Sequence, residues 1–237
     1  MKRPKLLCCI FYLGVSIPFL ALAVDRNSDE GWITLFNGKS TDAWRGYKQA
    51  DFPRASWVIE QDTLKTNPEH PIDLITREQY ENFELELEWK VAKSANSGIM
   101  YHVSEEFSDT YWTGPEMQVV DDDNSEDGKE PKTSSGSLYA LIAPTNKKLN
   151  PAGSWNKARL IVRGNHVQYW LNDRKIVEYE LGSSELKTLI AGSKFKDWPK
   201  FAKNKSGHIA LQNHGGTTWF RNIRVRVLKS EPNESQK

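Results

Sequence analysis

Apolar and polar residues alternate along much of the chain, and the dominant period is two. Phe83, Leu85, Leu87 and Trp89 alternate with Glu84, Glu86 and Glu88. That is the pattern of a strand with one buried face and one wet face. Leu160 and Val162 alternate with Arg159, Ile161 and Arg163. Val167, Tyr169 and Leu171 alternate with Gln168, Trp170 and Asn172, and Ile223, Val225 and Val227 with Asn222, Arg224 and Arg226. Asn172-Asp173 separates two strand-like runs, which predicts a hairpin of residues 166–172 and 175–181. Arg163-Gly164-Asn165-His166 predicts another tight turn. Helical patterning is confined to 183–191 and to 194–202, where Pro199 limits the second stretch. Many short strands and few helices predict an all-β fold, an antiparallel sandwich or barrel with one concave face for a ligand.

The ends of the chain break this pattern. Lys2, Arg3 and Lys5 precede an apolar run from Leu6 to Leu22 that closes on Ala21-Leu22-Ala23. This reads as an export signal, residues 1–23, with an uncleaved membrane anchor as the alternative. Residues 24–30 read as a polar linker, 31–228 as one domain, and 229–237 as a polar tail. No second apolar run approaches membrane length. Both cysteines, Cys8 and Cys9, fall inside the signal. The mature chain therefore carries no disulfide, thiolate metal site or cysteine nucleophile. Export without disulfides suits a bacterial periplasmic or cell-surface protein. Losing three of 32 basic residues leaves 29 against 31 acidic ones. That balance argues against a nucleic-acid partner.

Candidate chemistry concentrates in residues 96–121. Asn96-Ser97-Gly98-Ile99 opens a predicted strand that runs to His102, and Gly114-Pro115-Glu116-Met117-Gln118-Val119-Val120-Asp121 forms a second. Glu116 and Gln118 share a strand face, opposite Met117 and Val119. Asp121 would point away, but a one-residue bulge would return it to the same wall. Such a trio could move protons or hold a cation, or it could be a solvated strand face. His214 ends a strand beside Gly215 and Gly216, and His102 follows an apolar strand; each could be a base, a ligand or a hydrogen-bonded histidine. Asp123-x-Ser125-x-Asp127-Gly128 imitates a calcium loop, but Ser134 stands where the bidentate acid belongs, so a solvated loop is expected. Trp112, Trp155 and Trp198 fall near loops, where they could stack on sugars or fill a core.

Several of these motifs recur together, in order, in one family. Gly31-Trp32-Ile33-Thr34-Leu35-Phe36-Asn37-Gly38-Lys39 with Trp44 resembles its opening. The likeness continues through Tyr80-x-x-Phe83-Glu84-Leu85, Asn96-Ser97-Gly98-Ile99, Gly114-Pro115-Glu116-Met117-Gln118 with Asp121, Gly136-Ser137-Leu138-Tyr139 and Trp155-Asn156. It closes with Gly207-His208-Ile209-Ala210-Leu211-Gln212-Asn213-His214-Gly215 and Phe220-Arg221-Asn222-Ile223. The chain resembles the 3-keto-disaccharide hydrolase family over roughly 31–228, a family formerly known as domain of unknown function 1080.

The resemblance implies a concanavalin A-like jelly roll of two antiparallel sheets and cleavage of sugars oxidised at C3. Such chemistry needs a base near C2, an enolate stabiliser and an acid for the leaving group. Glu116, His214, His102 and Asp121 are the expected catalytic residues, with His214 or Glu116 as base. Gln118, Asn96, Lys194, Arg221, Trp112 and Tyr139 are the expected substrate contacts. A divalent metal could polarise the ketone, held by Glu116, Asp121 and His214. Two alternatives remain: a non-catalytic carbohydrate-binding module, or a glucanase-like hydrolase. The second is weakened because the middle acid of its acid-x-acid-x-x-acid strand is here Gln118.

Overall fold

The alternating runs become the strands of two stacked antiparallel sheets. The computed structural model describes residues 31–229, so the signal, the linker and all but the first residue of the tail lie outside the described residues. The strands are β1 (Trp32–Phe36), β2 (Trp44–Gly46), β3 (Trp57–Glu60), β4 (Thr63–Thr66), β5 (Leu74–Thr76), β6 (Phe83–Val91) and β7 (Asn96–Val103). There follow β8 (Glu116–Val120), a short helix α1 (Glu126–Lys129), β9 (Asn156–Arg163), β10 (His166–Leu171) and β11 (Arg174–Glu180). Helix α2 (Ser184–Ala191), β12 (His208–Leu211) and β13 (Thr218–Val227) complete the fold.

The larger sheet has the order β11-β10-β9-β6-β13-β4-β3, with β1 also paired to β13. The smaller sheet has the order β2-β5-β12-β7-β8. The inner faces meet in one core, as in a jelly roll. From β6 it takes Phe83, Leu85, Leu87 and Trp89, all buried. Each such side chain contributes roughly 1.5–3 kcal/mol on burial. The outward residues of β6 pair across the sheet by charge. Glu84 faces Arg226, Glu86 faces Arg224 and Arg159, and Glu88 faces Arg221 in register, and each is joined to those arginines by ion pairs. The period of two thus sorts core from charged outer surface in a single strand.

The predicted hairpin forms, with Asn172 (φ 47°) and Asp173 (φ 62°) both left-handed in its two-residue turn, as a hairpin turn of this length requires. Ser183 caps α2 by accepting the Leu186 amide at 3.1 Å. The stretch 194–202 is not a helix. It is a series of turns in which Phe195 and Phe201 stack with centroids 4.0 Å apart, and Trp198 packs edge-on at 4.9 Å from Phe195. Among the described residues no helix is long and apolar enough to cross a membrane.

Candidate active site

The site lies on the outer face of the smaller sheet, away from the core. β8 alternates as the sequence predicts: Met117 and Val119 enter the core, while Glu116 and Gln118 turn outward. β7 pairs beside it, placing Asn96 opposite Val120 and Gly98 opposite Gln118. Gly98 is required by space rather than by its backbone angles, because a Cβ there would overlap the Glu116 carboxyl. Gln212, just past β12, completes the floor. The walls come from loops. Tyr111 and Gly114 lie on one side, Tyr139 and Lys194 on another, and the ring cluster Phe195, Trp198 and Phe201 forms a third; His214 stands at the edge. Together they enclose a cavity of about 280 Å³.

The electrostatics of the cavity centre on Glu116. Its carboxyl receives no hydrogen bond from any described residue. Burial pushes its pKa up to about 8, against a smaller downward pull from the Lys194 ammonium; the Asp73 and Asp127 charges add to the rise. At neutral pH Glu116 is therefore mostly protonated. Burial lowers the pKa of Lys194, opposed by Glu116 and Asp127. The Lys194 ammonium sits 4.2 Å from the centre of the Tyr139 ring, a cation–π contact that aims it at the cavity. Two amides lie alongside. Asn96 donates to Asp127 at 2.9 Å and leaves Oδ1 without a partner, while Gln118 Oε1 accepts the Val119 amide at 3.3 Å and leaves Nε2 without one. Buried polar atoms that the protein itself leaves unpaired at this cavity are positioned for hydroxyl or carbonyl groups of a ligand.

Four of the expected residues lie elsewhere, each for a physical reason. No bulge follows Gln118, because β8 keeps regular register with β7 through Val120. Asp121 consequently turns back from the cavity and ties a turn, accepting from the Ser94 amide at 2.8 Å, Asn124 at 2.8 Å and the Asp123 amide at 3.2 Å. Burial opposes its ionisation, but these hydrogen bonds outweigh it and hold the carboxyl below the ordinary value. His102 does sit at a bulge, with φ 53° where β7 slips against β12. The extra residue swings its ring off the sheet face, against Tyr101 and Phe83. It lines a different cavity, beside Glu81 and Arg163, with Nε2 2.9 Å from the Glu81 carbonyl. Burial lowers its pKa.

Arg221 lies on the outer face of the larger sheet, with the whole core between it and Glu116. It binds Glu88 at 2.7 Å and covers the Trp155 ring at 4.0 Å. Trp112 is sandwiched between Phe107 and Trp198, at 5.7 and 4.6 Å, and only Trp198 of this stack lines the cavity. The expected metal trio does not assemble. Glu116 and His214 share the cavity, but the Asp121 oxygens are taken by the turn, and no cluster of three or more metal-type ligands occurs among the described residues. The residues present do not fit that metal site.

Residues 31–226 match the family described as the 3-keto-alpha-glucoside-1,2-lyase-like domain. The chain belongs to that family. A Bacteroides thetaiotaomicron protein named 3-keto-disaccharide hydrolase is 38% identical over 240 residues, covering 88% of this chain and 81% of the relative. A crystal structure of a candidate glycosyl hydrolase from Parabacteroides distasonis superposes with a TM-score of 0.80 at 30% identity, covering 88% of this chain and 99% of the other. A second from the same species superposes with a TM-score of 0.68 at 26% identity, covering 83% and 99%.

Within this 3-keto-glucoside lyase-like domain the structure brings Glu116, His214, Gln118, Asn96, Lys194 and Tyr139 together around one cavity. Sequence reasoning missed Tyr111, Gly114, Phe195, Phe201 and Gln212 as lining residues. Gln212 carried a signal, since His208, Ala210 and Gln212 alternate with the core residues Ile209 and Leu211. The wall aromatics carried none, because loop packing decides which ring faces the cavity. The acidic stretch is also more than a solvated loop: Asp127 holds Asn96, and Asp122 binds Lys147 at 2.6 Å.

Proposed function

We propose that this pocket cleaves glycosides carrying a ketone at C3, by elimination and then hydration. Family membership and the 38% identity to a protein named 3-keto-disaccharide hydrolase support a carbohydrate hydrolase. The observation that carries the finer reading is Glu116, a buried carboxyl protonated at neutral pH and unpartnered beside Lys194.

A C3 ketone acidifies the proton on C2. The His214 imidazole takes that proton, and the C2–H electron pair moves into an enolate whose oxygen lies on C3. Lys194 and the Gln118 Nε2 donor stabilise this oxygen. The enolate collapses to a C1–C2 double bond, the C1–O bond breaks, and Glu116 protonates the departing oxygen. Water then adds across the double bond, hydroxyl to C1 and proton to C2, and the net result is hydrolysis. Asn96 and Tyr139 hold the ring, with Trp198 as a stacking wall.

The test is turnover of a 3-keto-glucoside by purified protein. Glu116→Gln and His214→Ala should each lower kcat/KM by two orders of magnitude or more, in line with a general acid or base worth about 10²–10⁴. Full activity in both variants would overturn the assignment. Glycan binding without turnover, surviving Glu116→Ala, would favour a binding module instead. The reading includes export: the mature protein should begin at Val24, which the mass of the protein secreted by a bacterial host would show.

A further inference from the structure

The bulge that removes His102 from the Glu116 cavity delivers it to another. This cavity, of about 660 Å³, opens where β6 begins and β9 turns into β10. Its walls are tied to one another. The Gly164 amide donates to Asn82 Oδ1 at 2.5 Å, the Leu181 amide to the Asn165 carbonyl at 2.7 Å, and Asn204 Nδ2 to the His102 carbonyl at 3.0 Å. Two lining residues, His102 (φ 53°) and Ala202 (φ 56°), hold left-handed backbones without being glycine. Such conformations persist only where the surroundings impose them, and they collect at functional sites. The His102 side chain is buried, at 2% exposure, and its Nδ1 has no partner. The Glu81 carbonyl can only accept, so Nε2, 2.9 Å from it, carries the ring proton and Nδ1 is a bare acceptor. Charge on the walls is one-sided. Arg163, Lys203 and Lys205 line the cavity, and Glu81 is the one acid among the described lining residues.

We propose that this cavity is a second binding site, separate from the Glu116 pocket, for a small polyhydroxylated oxyanion: a sugar acid or a sugar phosphate. The cations attract the charged end, and a carboxylate or phosphate offers their N–H groups the acceptor oxygens for charge-assisted hydrogen bonds. A neighbouring hydroxyl donates to His102 Nδ1, the one group on the walls that is buried and lacks a donor. A neutral sugar leaves the cations without a counter-charge, and a simple anion such as acetate leaves the histidine without a donor. The site stands independently of the chemistry assigned to Glu116, but it shares a chain segment with that pocket. Lys194, Phe195, Trp198 and Phe201 line the Glu116 cavity, and Ala202, Lys203, Asn204 and Lys205 follow directly as a wall of this one. An anion held here therefore ties down the end of the loop whose rings enclose the other cavity.

The experiment is calorimetric titration of the purified protein with gluconate, glucose 6-phosphate, glucose and acetate. Gluconate, glucose 6-phosphate or both should bind saturably, and whichever does so names the oxyanion; glucose and acetate should bind at least tenfold more weakly. The double variant Lys203→Ala/Lys205→Ala, which changes only exposed side chains, should weaken the anion at least tenfold. His102→Asn, a residue that also tolerates the left-handed backbone, should weaken it as well, with melting temperature showing that each variant is folded. Lys194→Met should bind the anion as wild type does, and hydrogen exchange at the amides of residues 202–205 should slow when it is bound. No binding of either sugar anion, equal binding of glucose, or undiminished binding in the double lysine variant would overturn the proposal. Loss of binding in Lys194→Met would also overturn it, because the anion would then sit in the Glu116 cavity.

Discussion

Replacing Glu116 by Gln should make the fold more stable in alkaline solution, while removing activity. The acid keeps its proton in the folded protein to a pKa of about 8, whereas its ordinary value is 4.5. Between those values the folded chain holds a proton that the unfolded chain has released. Stability from this group is therefore complete below the ordinary value and is lost as pH rises through the folded one. The slope is about 1.4 kcal/mol per pH unit, so wild type should lose on the order of 4 kcal/mol from this group between pH 5 and pH 8. Gln has nearly the same shape and no proton to release. Its stability is flat in this window as far as this site is concerned, and all other titrations cancel in the comparison. The assay is chemical denaturation of both proteins at pH 5 and pH 8.5. The wild type should lose stability relative to Glu116→Gln by a few kcal/mol across that range. Parallel behaviour of the two would show that the carboxyl titrates normally, and the argument that burial keeps it protonated would fail.

Other consequences are simpler to state. Activity should fall as pH rises through about 8, where Glu116 loses the proton it donates. Lys194→Met should move this limb upward, because the ammonium favours the ionised carboxyl, and should also lower kcat; a pH–rate profile reads both. Gly98→Ala should displace the Glu116 side chain and cut kcat/KM at least tenfold with little change in melting temperature, since the overlapped atoms are at the end of a flexible side chain. Asp121→Ala should cost about 1–3 kcal/mol through the amide donors it leaves unpaired, with turnover per folded molecule within twofold of wild type. Arg221→Ala should leave kcat/KM unchanged and cost no more than about 1 kcal/mol, as expected of a partly exposed ion pair.

The period-two runs announced the strands, because inward and outward positions carry opposite chemistry. In β6 the inward Phe83, Leu85, Leu87 and Trp89 and the outward glutamates left no ambiguity of face. The same rule found half of the site: Glu116 and Gln118 project together, and the Asn96-Ser97-Gly98 segment lies beside them. The rule failed where the backbone departs from regular pleating. The bulge expected after Gln118 is absent, so Asp121 is lost to the site. A bulge occurs instead at His102, so that residue is lost as well. Neither follows from residue types, since register is settled by the neighbouring strands. Arg221 shows a different limit: its sequence position near the site motifs says nothing of which sheet carries it. The aromatic wall of Phe195, Trp198 and Phe201 was hidden because the spacing that suggested a helix there serves ring stacking in a turn-rich loop.

The central claim is cleavage through loss of the C2 proton, assisted by Glu116. It is tested most directly by cleaving a 3-keto-disaccharide in deuterated water and examining C2 of the released 3-keto sugar, against a time-matched control of that sugar incubated alone. Elimination and hydration predict one solvent deuteron at C2 in every product molecule formed by the wild type, with both cleavage and labelling lost in Glu116→Gln. Cleavage that leaves the original hydrogen on C2 would contradict the account.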